Sequence, residues 1–534
     1  MRYISLKLLT PAHWCLLLAL TGGLLLDLSW FPNGLTVLVF IAFVPFLFLA
    51  QRCQAHSLSA FGYFFAGFFL FHLFSGWWMY SSTIPGSLMA HLFNAAYMSV
   101  VLVVWMKVSG LKSFRSVRLV ALILFWLAFE RLHQQWELAW PWFTLGHALA
   151  PQSNWIQWYQ FTGSPGGSAW ILLVNGLIFY LLKAIIDQNR HDILLRLPAL
   201  CLVFTGPVLI SFLIENQAVD TSTYLRVMVV QPNIHPQREK FAGMSASDQL
   251  DKALRLVQQQ DLNGMELILF PETMLVDAVD EADPADSPLV RRLISLVPHA
   301  TKTVITGTYS SRLAGWHTSD HKAVIHDSVA SVLYNSAMMI HRNGAYFYHK
   351  EKLVPLVEKQ PFGRFMQPLQ AYIERSGGFF GSYGIHNEQK VFYTADSIAI
   401  LPLICFESAF NFEAAKASAR PSLIAILTND GWWSDTGGYL QHLELARLRA
   451  IENGKWVVRS ANTGVSAVID PSGKVIKHCD YGMEGVIIYD VPLVAGRTFF
   501  AQHNDFLQDI PVWMALFAGL YWFLSGRRRS IKGS

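Results

Sequence analysis

The feature that most constrains this chain is a repeated pattern of apolar stretches, each close to the ~20 residues that an α-helix needs to cross the hydrocarbon core of a membrane. Seven precede residue 215 and an eighth follows residue 505, at roughly 12–29, 33–50, 59–80, 88–106, 118–136, 166–186, 197–214 and 506–525. Hydrophobic residues make up 53% of the chain and charged residues 15%, far from the average of soluble proteins. The pattern predicts a bundle of eight transmembrane helices.

The sequence changes character between the seventh and eighth stretches. There it alternates strand-like runs, charged helices and turns rich in Gly, Pro and Asn, as an ordinary globular domain does. A cleaved signal peptide at 1–29 is the alternative for the first stretch, but six more stretches follow it. We therefore divide the chain into a membrane domain at 1–215, a globular domain at 223–495, an eighth transmembrane helix at 506–525 and a basic tail at 526–534.

Basic residues indicate the orientation of the bundle, because Lys and Arg beside a span resist translocation. With the N-terminus inside, the connections that carry Lys and Arg lie on the cytoplasmic side. The three short connections on the outer side, at 30–33, 81–87 and 138–162, contain no Lys or Arg. The globular domain is therefore expected on the periplasmic face of a bacterial inner membrane. Glu130 and Arg131 lie near the outer end of the fifth span, either as an ion pair that supports the bundle or as the wall of a lipid headgroup site.

Composition excludes several classes of function. The formal net charge is +4, and no basic run is interleaved with aromatic residues, so nucleic acid is not expected as a partner. Five cysteines without a CxxC pair indicate neither a disulfide framework nor a zinc site. A single functional thiol is left as the remaining role for a cysteine.

Polar residues follow the ends of three predicted strands in the globular domain. The apolar run Glu266 to Phe270 stops at Pro271 and Glu272, and the run Ser397 to Ile404 leads directly into Cys405. A third run, at 422–427, ends at a Thr-Asn-Asp segment. Cys405 is expected in the first turn of a helix, where free N–H groups favour the thiolate.

Cys405, Glu272 and Lys350 form a chemically coherent set. Cysteine is a strong nucleophile, but it needs a base to take its proton and a cation or N–H pair to hold the oxyanion that forms on attack. Glu272 can supply the base and Lys350 the cation. Taken singly each residue is weak support, because a lone cysteine after an apolar strand is more often an inert core residue.

The order of these segments resembles the carbon-nitrogen hydrolase (nitrilase) superfamily, and more closely its membrane-embedded branch, the apolipoprotein N-acyltransferases. With the eight-span layout, the resemblance covers nearly the whole chain and implies an α/β nitrilase-like α-β-β-α sandwich for the globular domain. The segments that carry it are VQPNI at 230–234, FPET at 270–273, YNS at 334–336, KEKLVP at 350–355, ICFE at 404–407, TNDGWW at 428–433 and the run from Gln441 to Gly464.

The resemblance implies a role for each matching residue. Cys405 is the nucleophile, Glu272 the general base and acid, and Lys350 the group that stabilises the oxyanion. Lys352 competes for the last role by spacing alone, but the family's lysine lies three residues before the Leu of Leu-Val-Pro, which selects Lys350. The expected supporting residues are Asn335, Glu358, Phe406 and Glu407.

The chain departs from the family pattern at three places. Leu356 and Val357 stand where the family commonly has Phe-Gly, so the shape of that loop is not given by the resemblance. Phe241 stands in place of a frequent Trp, and Phe406 in place of a frequent Tyr. Because aromatic character is kept, these changes indicate altered packing and not lost chemistry.

The function implied is transfer of a fatty acyl chain from a membrane phospholipid, through a cysteine thioester, to the N-terminal amine of diacylglyceryl-cysteine in an apolipoprotein. No metal or soluble cofactor is expected, and the enzyme is expected to act as a monomer. One alternative is a membrane-anchored periplasmic amidase or nitrilase acting on a small substrate. The other, a transporter with an outer binding domain, leaves Cys405, Glu272 and Lys350 without a purpose.

Two lipid-borne substrates must reach one thiol, so the site is expected to open toward the membrane surface. The segment 361–384 combines apolar residues, including Phe379 and Phe380, with glycines that permit hinge-like motion, and is a candidate lid. The candidate access residues are Phe241, Phe379, Phe380, Trp432 and Trp433. The alternative is that these rings cover the core of the domain.

His442, on a predicted helix from Tyr439 to Asn453, is interpreted as a structural residue.

Overall fold

The chain forms two compact units. The computed structural model describes residues 10–54, 56–110, 117–215, 223–296, 302–313, 323–326, 329–341, 344–362, 368, 383–385, 391–411 and 422–532. The helical unit comprises Met1–Tyr80, Ile84–Ile214 and His503–Ser534, and the α/β unit comprises Ser81–Thr83 and Glu215–Gln502.

The helical unit contains the helices α1 to α8 and most of α12. Their bounds are α1 Pro11–Ser29, α2 Val39–Ala42, α3 Val44–Arg52, α4 Ser57–Ser75, α5 Ile84–Ser109, α6 Arg118–His133, α7 Tyr159–Ile186, α8 Arg190–Glu215 and α12 Phe499–Lys532. In the described part of the chain, six of these helices are long and apolar enough to cross a membrane, namely α1, α4, α5, α7, α8 and α12. The other two predicted spans correspond to shorter helices, the interrupted segment Thr36–Arg52 and the 16 residues of α6.

The second predicted span is interrupted at Phe43. Pro45 stands at the start of α3 and has no N–H, so it cannot continue the hydrogen-bond ladder of α2. The Asn175 side chain of α7 occupies the break: its Oδ1 accepts from the Phe43 N–H at 2.8 Å and its Nδ2 donates to the Val39 carbonyl at 2.9 Å. One buried amide from another helix therefore satisfies the backbone groups that the break exposes.

Arg131 ties α6 to α12. Its Nε donates to Asp509 at 2.8 Å and its Nη2 to Asp505 at 3.1 Å. The buried arginine is thus paired with two carboxylates of the last helix, and not with its neighbour Glu130. The sequence predicted an ion pair between Glu130 and Arg131 as one of two alternatives; the structure gives Arg131 other partners, and its pairing with Asp505 and Asp509 supports the bundle.

The connection at 138–162 is packed inside the helical unit, whereas the sequence pattern predicted an outer loop. Its 3₁₀ turns, Pro141–Phe143 and Leu145–Trp155, are largely buried. Glu130 Oε1 accepts from the Leu145 N–H at 2.8 Å and from Ser168 Oγ at 3.0 Å. Buried non-helical backbone must find partners, and Glu130 supplies one.

The α/β unit contains two β-sheets. In the described residues the first sheet has eight strands, with β14-β1-β2-β4-β6-β5 in order, β3 beside β4 and β7 beside β6. Its central pairs β1–β2 and β2–β4 are parallel. The strands are β1 Tyr224–Gln231, β2 Leu267–Leu269, β3 Leu275–Asp280, β4 Thr303–Leu313, β5 Ala323–His326, β6 Val329–His341, β7 Gly344–His349 and β14 Gly485–Pro492.

The second sheet has six strands among the described residues, in the order β13-β12-β11-β10-β9-β8. The pairs β9–β10 and β10–β11 are parallel, and the outer pairs are antiparallel. The strands are β8 Phe392–Tyr393, β9 Ala399–Ile404, β10 Ser422–Thr428, β11 Trp456–Ala461, β12 Ser466–Ile469 and β13 Val475–Cys479. The unit's helices include α9 Ala246–Gln258, α10 Pro288–Ile294 and α11 Gly437–Asn453.

Alternate residues of the central strands enter different clusters of buried side chains. Val227 and Val229 of β1 pack in a cluster that also contains Leu423 and Leu427 of the second sheet. Met228 of β1 packs in a second cluster, with the apolar residues of α9 and α10. A third cluster joins the second sheet to α11. Because side chains alternate across a strand, each parallel strand is apolar on both faces, as its sequence predicted.

Candidate active site

Glu272 lies just beyond the carboxyl end of the parallel strand β2. Gly307 of β4 donates its N–H to the Pro271 carbonyl at 3.1 Å. A Cβ built on Gly307 would lie 2.5 Å from Glu272 Cα, so only glycine permits this approach. The next residue, Thr273, has φ of +47°. The close strand and the left-handed turn together fix the direction of the Glu272 side chain.

Lys350, the residue after β7, joins two carboxylates. Its Nζ donates to Glu358 Oε1 at 2.8 Å and to Glu272 Oε1 at 3.2 Å. Asn335 Nδ2 donates to the same two oxygens, each at 3.0 Å, and the Asn335 carbonyl accepts from the Lys350 N–H at 2.8 Å. We call these four side chains the Glu272 cluster; all four were expected from the sequence.

The Glu272 cluster keeps its lysine charged. Burial by itself would lower the pKa of Lys350, whose side chain is 1% exposed, but the Glu272 and Glu358 carboxylates raise that pKa well above its usual value. Lys352, the competing candidate, lies with its Nζ 5.7 Å from the centre of the Phe410 ring. The structure therefore brings Lys350, and not Lys352, to the carboxylates.

Cys405 follows β9 directly, as the sequence predicted, but it does not begin an α-helix. The segment Cys405–Ala409 is a 3₁₀ turn of five residues, and Cys405 has φ of +49°. Burial and the negative charge of Glu272 raise the pKa of the Cys405 thiol, against the opposing effects of Lys350 and a hydrogen bond with Thr428. The expectation of a stabilised thiolate is wrong, because desolvation and the nearby carboxylates outweigh Lys350 and the Thr428 hydrogen bond.

Glu407 braces the turn that carries Cys405. One of its oxygens accepts from the Ile404 N–H at 2.7 Å, and the other accepts from Tyr348 Oη and the Glu351 N–H, each at 2.7 Å. The carboxylate thus links the nucleophile turn to the backbone that follows Lys350. Burial raises the pKa of Glu407 to about 7. Phe406 is buried and its ring meets Phe410 edge to face.

A second buried charge cluster lies behind Cys405. His442 of α11 places Nε2 3.1 Å from the Cys405 carbonyl oxygen and 2.7 Å from Ser408 Oγ. Its Nδ1 lies 2.8 Å from Asp430 Oδ1, and Asp430 Oδ2 accepts from Arg459 Nη2 at 2.6 Å. We call Ser408, Asp430, His442 and Arg459 the Asp430 cluster. Desolvation would raise the pKa of Asp430, but the Arg459 and His442 charges hold it below its usual value.

The sequence did not reveal the part that His442 plays. It predicted α11 correctly and interpreted its histidine as a structural residue, whereas the ring directly contacts the backbone of the candidate nucleophile. The available signal was the Thr-Asn-Asp segment after β10, since an acidic residue at that strand end faces the same edge as Cys405.

Lys240 is another buried group that the sequence did not single out. Its Nζ donates to the Glu272 carbonyl at 3.0 Å. Burial lowers the pKa of Lys240 to about 7, against the opposing charge of Glu272. The contact holds the backbone of the candidate base.

The candidate access residues fall into two groups. Phe241 is 45% exposed and stacks on Trp432, with ring centroids 5.6 Å apart. Trp433 is half-buried and meets the His442 ring edge to face at 5.4 Å. Phe379 and Phe380, with most of the 361–384 segment, lie outside the described residues.

The described residues contain no group of three or more His, Cys, Asp or Glu side chains arranged to hold a metal ion. What the site does hold is a thiol, a carboxylate and an ammonium group, all acting on one another at the carboxyl ends of β2, β7 and β9. A protonated nucleophile beside a carboxylate can be activated by proton transfer, and a lysine held charged can stabilise an oxyanion.

Comparison with known proteins identifies the superfamily of the α/β unit. Residues 226–499, just over half of the chain, match the family described as carbon-nitrogen hydrolase. The chain belongs to the carbon-nitrogen hydrolase family. In addition, residues 22–177 match the family described as the apolipoprotein N-acyltransferase N-terminal domain.

Curated relatives resemble this family member over both units. An apolipoprotein N-acyltransferase of Chlorobaculum tepidum is 28% identical over 93% of this chain and 94% of its own length. One of Bradyrhizobium diazoefficiens is 28% identical over 100% of this chain and 98% of its own length. One of Rhodopseudomonas palustris is 29% identical over 73% of this chain and 71% of its own length. The resemblance therefore includes the helical unit as well as the α/β unit.

Proposed function

We propose that this chain is an apolipoprotein N-acyltransferase, an enzyme that transfers a fatty acyl chain from a membrane phospholipid to the N-terminal amine of diacylglyceryl-cysteine in lipoproteins. The observation that carries the proposal is the Glu272 cluster beside Cys405 in a chain whose other unit consists of long apolar helices. The relatives that match both units carry the same name. The described site needs only protein side chains for this chemistry.

In the first half of the reaction, Glu272 takes the proton of the Cys405 thiol and the thiolate attacks the ester carbonyl of the phospholipid. Lys350 Nζ and the Phe406 backbone N–H hold the negative oxygen of the tetrahedral intermediate. The carbon–oxygen bond of the ester then breaks, and Glu272 returns the proton to the departing oxygen. A lysophospholipid leaves and an acyl thioester remains on Cys405.

In the second half, the α-amine of the lipoprotein attacks the thioester carbonyl. Glu272 takes a proton from the attacking amine, and the same two donors hold the oxyanion. The carbon–sulfur bond breaks as the amide forms, and Glu272 returns the proton to the sulfur. The enzyme is restored and the product is a triacylated lipoprotein.

The membrane arrangement that we propose has eight spans. The segment Thr36–Arg52 and α6 supply the two that are too short or too interrupted to stand out by length. The basic residues then lie inside, and the domain at 223–495 lies at the periplasmic face of the inner membrane. Within that domain, two sheets share one cluster of buried side chains and carry helices on their other faces, which supports an α-β-β-α sandwich.

Access to the site is proposed to involve the stacked pair of the exposed Phe241 and the half-buried Trp432. Exposed aromatic rings are favourable at headgroup level, where one face is apolar and the other is wet. The 361–384 segment, including Phe379 and Phe380, is proposed as the lid that admits phospholipid and then lipoprotein. A periplasmic amidase is less favoured, since a small soluble substrate gives no reason for a bundle of apolar helices.

Exchange kinetics test the proposal. The purified enzyme is given a labelled phospholipid with or without a synthetic diacylated lipopeptide. We expect one equivalent of lysophospholipid to be released without acceptor, and N-acylated peptide to appear only when acceptor is added. Release that strictly requires both substrates contradicts the thioester scheme, and steady release of free fatty acid favours a hydrolase.

A further inference from the structure

The carbonyl oxygen of Cys405 is hydrogen-bonded by two side chains. Ser408 Oγ donates to it at 2.8 Å, and His442 Nε2 lies 3.1 Å away. Ser408 Oγ also lies 2.7 Å from His442 Nε2. When Ser408 gives its one hydroxyl hydrogen to the carbonyl, its oxygen accepts from Nε2, and this assignment places a hydrogen on Nε2. His442 is therefore a donor toward both the serine and the Cys405 carbonyl.

The donor is rigidly held from the other side. Asp430 Oδ1 lies 2.8 Å from His442 Nδ1, and the other Asp430 oxygen is bonded to Arg459. Asp430, His442 and Arg459 are each 0% exposed, so water does not compete for these bonds. A hydrogen bond in such surroundings is stronger than the same bond in water.

The Cys405 carbonyl and the Phe406 N–H belong to one peptide group. Hydrogen bonds to the oxygen of an amide polarise it and make its N–H a better donor. We propose that His442 is a positioning residue that strengthens the Phe406 N–H for the oxyanion, by polarising the Cys405–Phe406 peptide through the Asp430 cluster. The inference rests on the proposed function, since it requires an oxyanion at this peptide.

Two reactions of the same sulfur separate this role from a structural one. Acylation of Cys405 by phospholipid passes through an oxyanion, whereas alkylation by iodoacetamide does not. We expect His442→Ala to slow acylation about tenfold, a part of the ~10²–10³-fold lost when an oxyanion donor is removed outright, and to leave alkylation within twofold. His442→Gln keeps an N–H donor at similar reach, so we expect it to recover part of the acylation rate.

Glu452→Gln is the matched control. It disturbs a buried ion pair with Arg449 on the same helix, 3.2 Å long, without touching Cys405. It is expected to lower thermal stability without slowing acylation per folded molecule. Ser408→Ala, a smaller change in the Asp430 cluster, provides a second test if His442→Ala does not fold.

The outcomes are distinct. Slower acylation with unchanged alkylation supports the inference. Unchanged acylation, or acylation and alkylation falling together, overturns it and leaves His442 as a purely structural residue. If the wild-type enzyme forms no acyl adduct on Cys405, the proposed function fails first, and the two failures are thereby told apart.

A different observation in the helical unit carries a second inference. A cavity of about 140 Å³ lies where α3, α5 and α7 end and α6 begins. Its polar lining consists of Gln51, Gln54, Ser109, Arg118, Tyr180 and Lys183, and the rest of its wall is apolar or glycine. Among the described residues that line it, none is Asp or Glu. Two cations and several neutral donors above an apolar wall are complementary to an anion attached to acyl chains.

Arg118 is fixed at this cavity by its backbone and its Nε. The Arg118 carbonyl accepts from Trp105 Nε1 at 2.8 Å, and its Nε donates to the Ser109 carbonyl at 3.0 Å. We infer that the cavity binds the phosphate of a net-anionic glycerophospholipid. This site is separate from Cys405 and would hold a lipid as a ligand of the bundle.

Native mass spectrometry of the full chain can test the lipid site. The protein is extracted from nanodiscs of phosphatidylglycerol and phosphatidylcholine, and retained lipid is identified. We expect one phosphatidylglycerol to be retained by the wild type and by Lys107→Gln, which removes an exposed charge from the same end of the bundle. We expect Lys183→Gln and the double variant with Arg118→Gln to lose it at least tenfold more readily.

Equal retention in these variants overturns the assignment. A third arm adds inorganic phosphate at millimolar concentration before extraction. Retention of the lipid in its presence supports a lipid headgroup site, whereas displacement shows that the cavity takes a free anion and overturns the lipid assignment.

Discussion

The two buried charge clusters around Cys405 differ in how their charges balance. The Glu272 cluster sets two carboxylates against one ammonium group, and Glu358 retains 12% exposure. The Asp430 cluster sets one carboxylate against a guanidinium and an imidazole, all at 0% exposure. A spare negative charge can accept a proton, whereas a sealed and compensated network holds geometry. Buried charged residues therefore serve chemistry on one side of the cysteine and support on the other.

Glu272→Gln should give the largest effect. It removes the base while Glu358 and Asn335 still hold Lys350, so we expect thioester formation to fall by ~10³-fold or more with little loss of stability. The rate is measured by intact-protein mass spectrometry after addition of phospholipid.

Lys350→Met should be similarly damaging, and Lys352→Met is its matched control. If Lys352→Met is the harmful change, the choice of lysine is wrong.

Asp430→Asn should lower stability more than activity, the reverse of Glu272→Gln. It leaves Arg459 buried without its carboxylate, and breaking a buried ion pair costs about 3–5 kcal/mol. We expect a clear loss of unfolding free energy, and a smaller loss of turnover per folded molecule than Glu272→Gln produces. Abolished turnover at unchanged stability would place Asp430 in the chemistry and erase the distinction between the clusters.

Phe241→Ala should have a moderate effect that concerns access. We expect acylation from bilayers to slow severalfold, with a change in stability within about 1.5 kcal/mol, the value of one aromatic pair. Tyr393 has the same exposure of 45% and lies on the edge strand β8, so Tyr393→Ala is the control. Equal behaviour of the two variants would remove Phe241 from the access path.

The smallest expected effect is a change in how stability depends on pH. Burial raises the pKa of Glu407 from 4.5 to about 7, so the folded state holds a proton that the unfolded state releases. The stability that it contributes is fully present below pH 4.5 and is lost as the pH rises through about 7. We expect Glu407→Gln to flatten this decline of stability with rising pH, measured by thermal unfolding at a series of pH values. An unchanged slope would show that Glu407 stays ionised.

The sequence predicted the parts of the site that follow apolar runs. The runs that end at Glu272 and Cys405 are confirmed as strands β2 and β9, and Thr428 ends β10. In a buried parallel strand nearly every residue is apolar, so a polar residue at its end stands out. The helix around His442 gave no such contrast, because a helix carries polar residues on one face in any case.

Other features depended on contacts between distant segments. The break at Phe43 is completed by Asn175, which lies 132 positions away in the chain. The pairing of Arg131 with Asp505 and Asp509 likewise joins α6 to the last helix. No local pattern encodes such partners, so hydropathy predicted the spans but not how they are interrupted or tied together.

The central claim is that Cys405 carries the acyl chain, and one measurement tests it most directly. The protein is purified from membranes, incubated with a phospholipid of known acyl composition and analysed intact by mass spectrometry, followed by peptide mapping. We expect a mass increase of one acyl group, located on Cys405, removed by hydroxylamine and by diacylated lipopeptide, and absent from Cys405→Ala. A Cys405→Ala variant that still transfers acyl chains at the normal rate, or an adduct on another residue, would contradict the account.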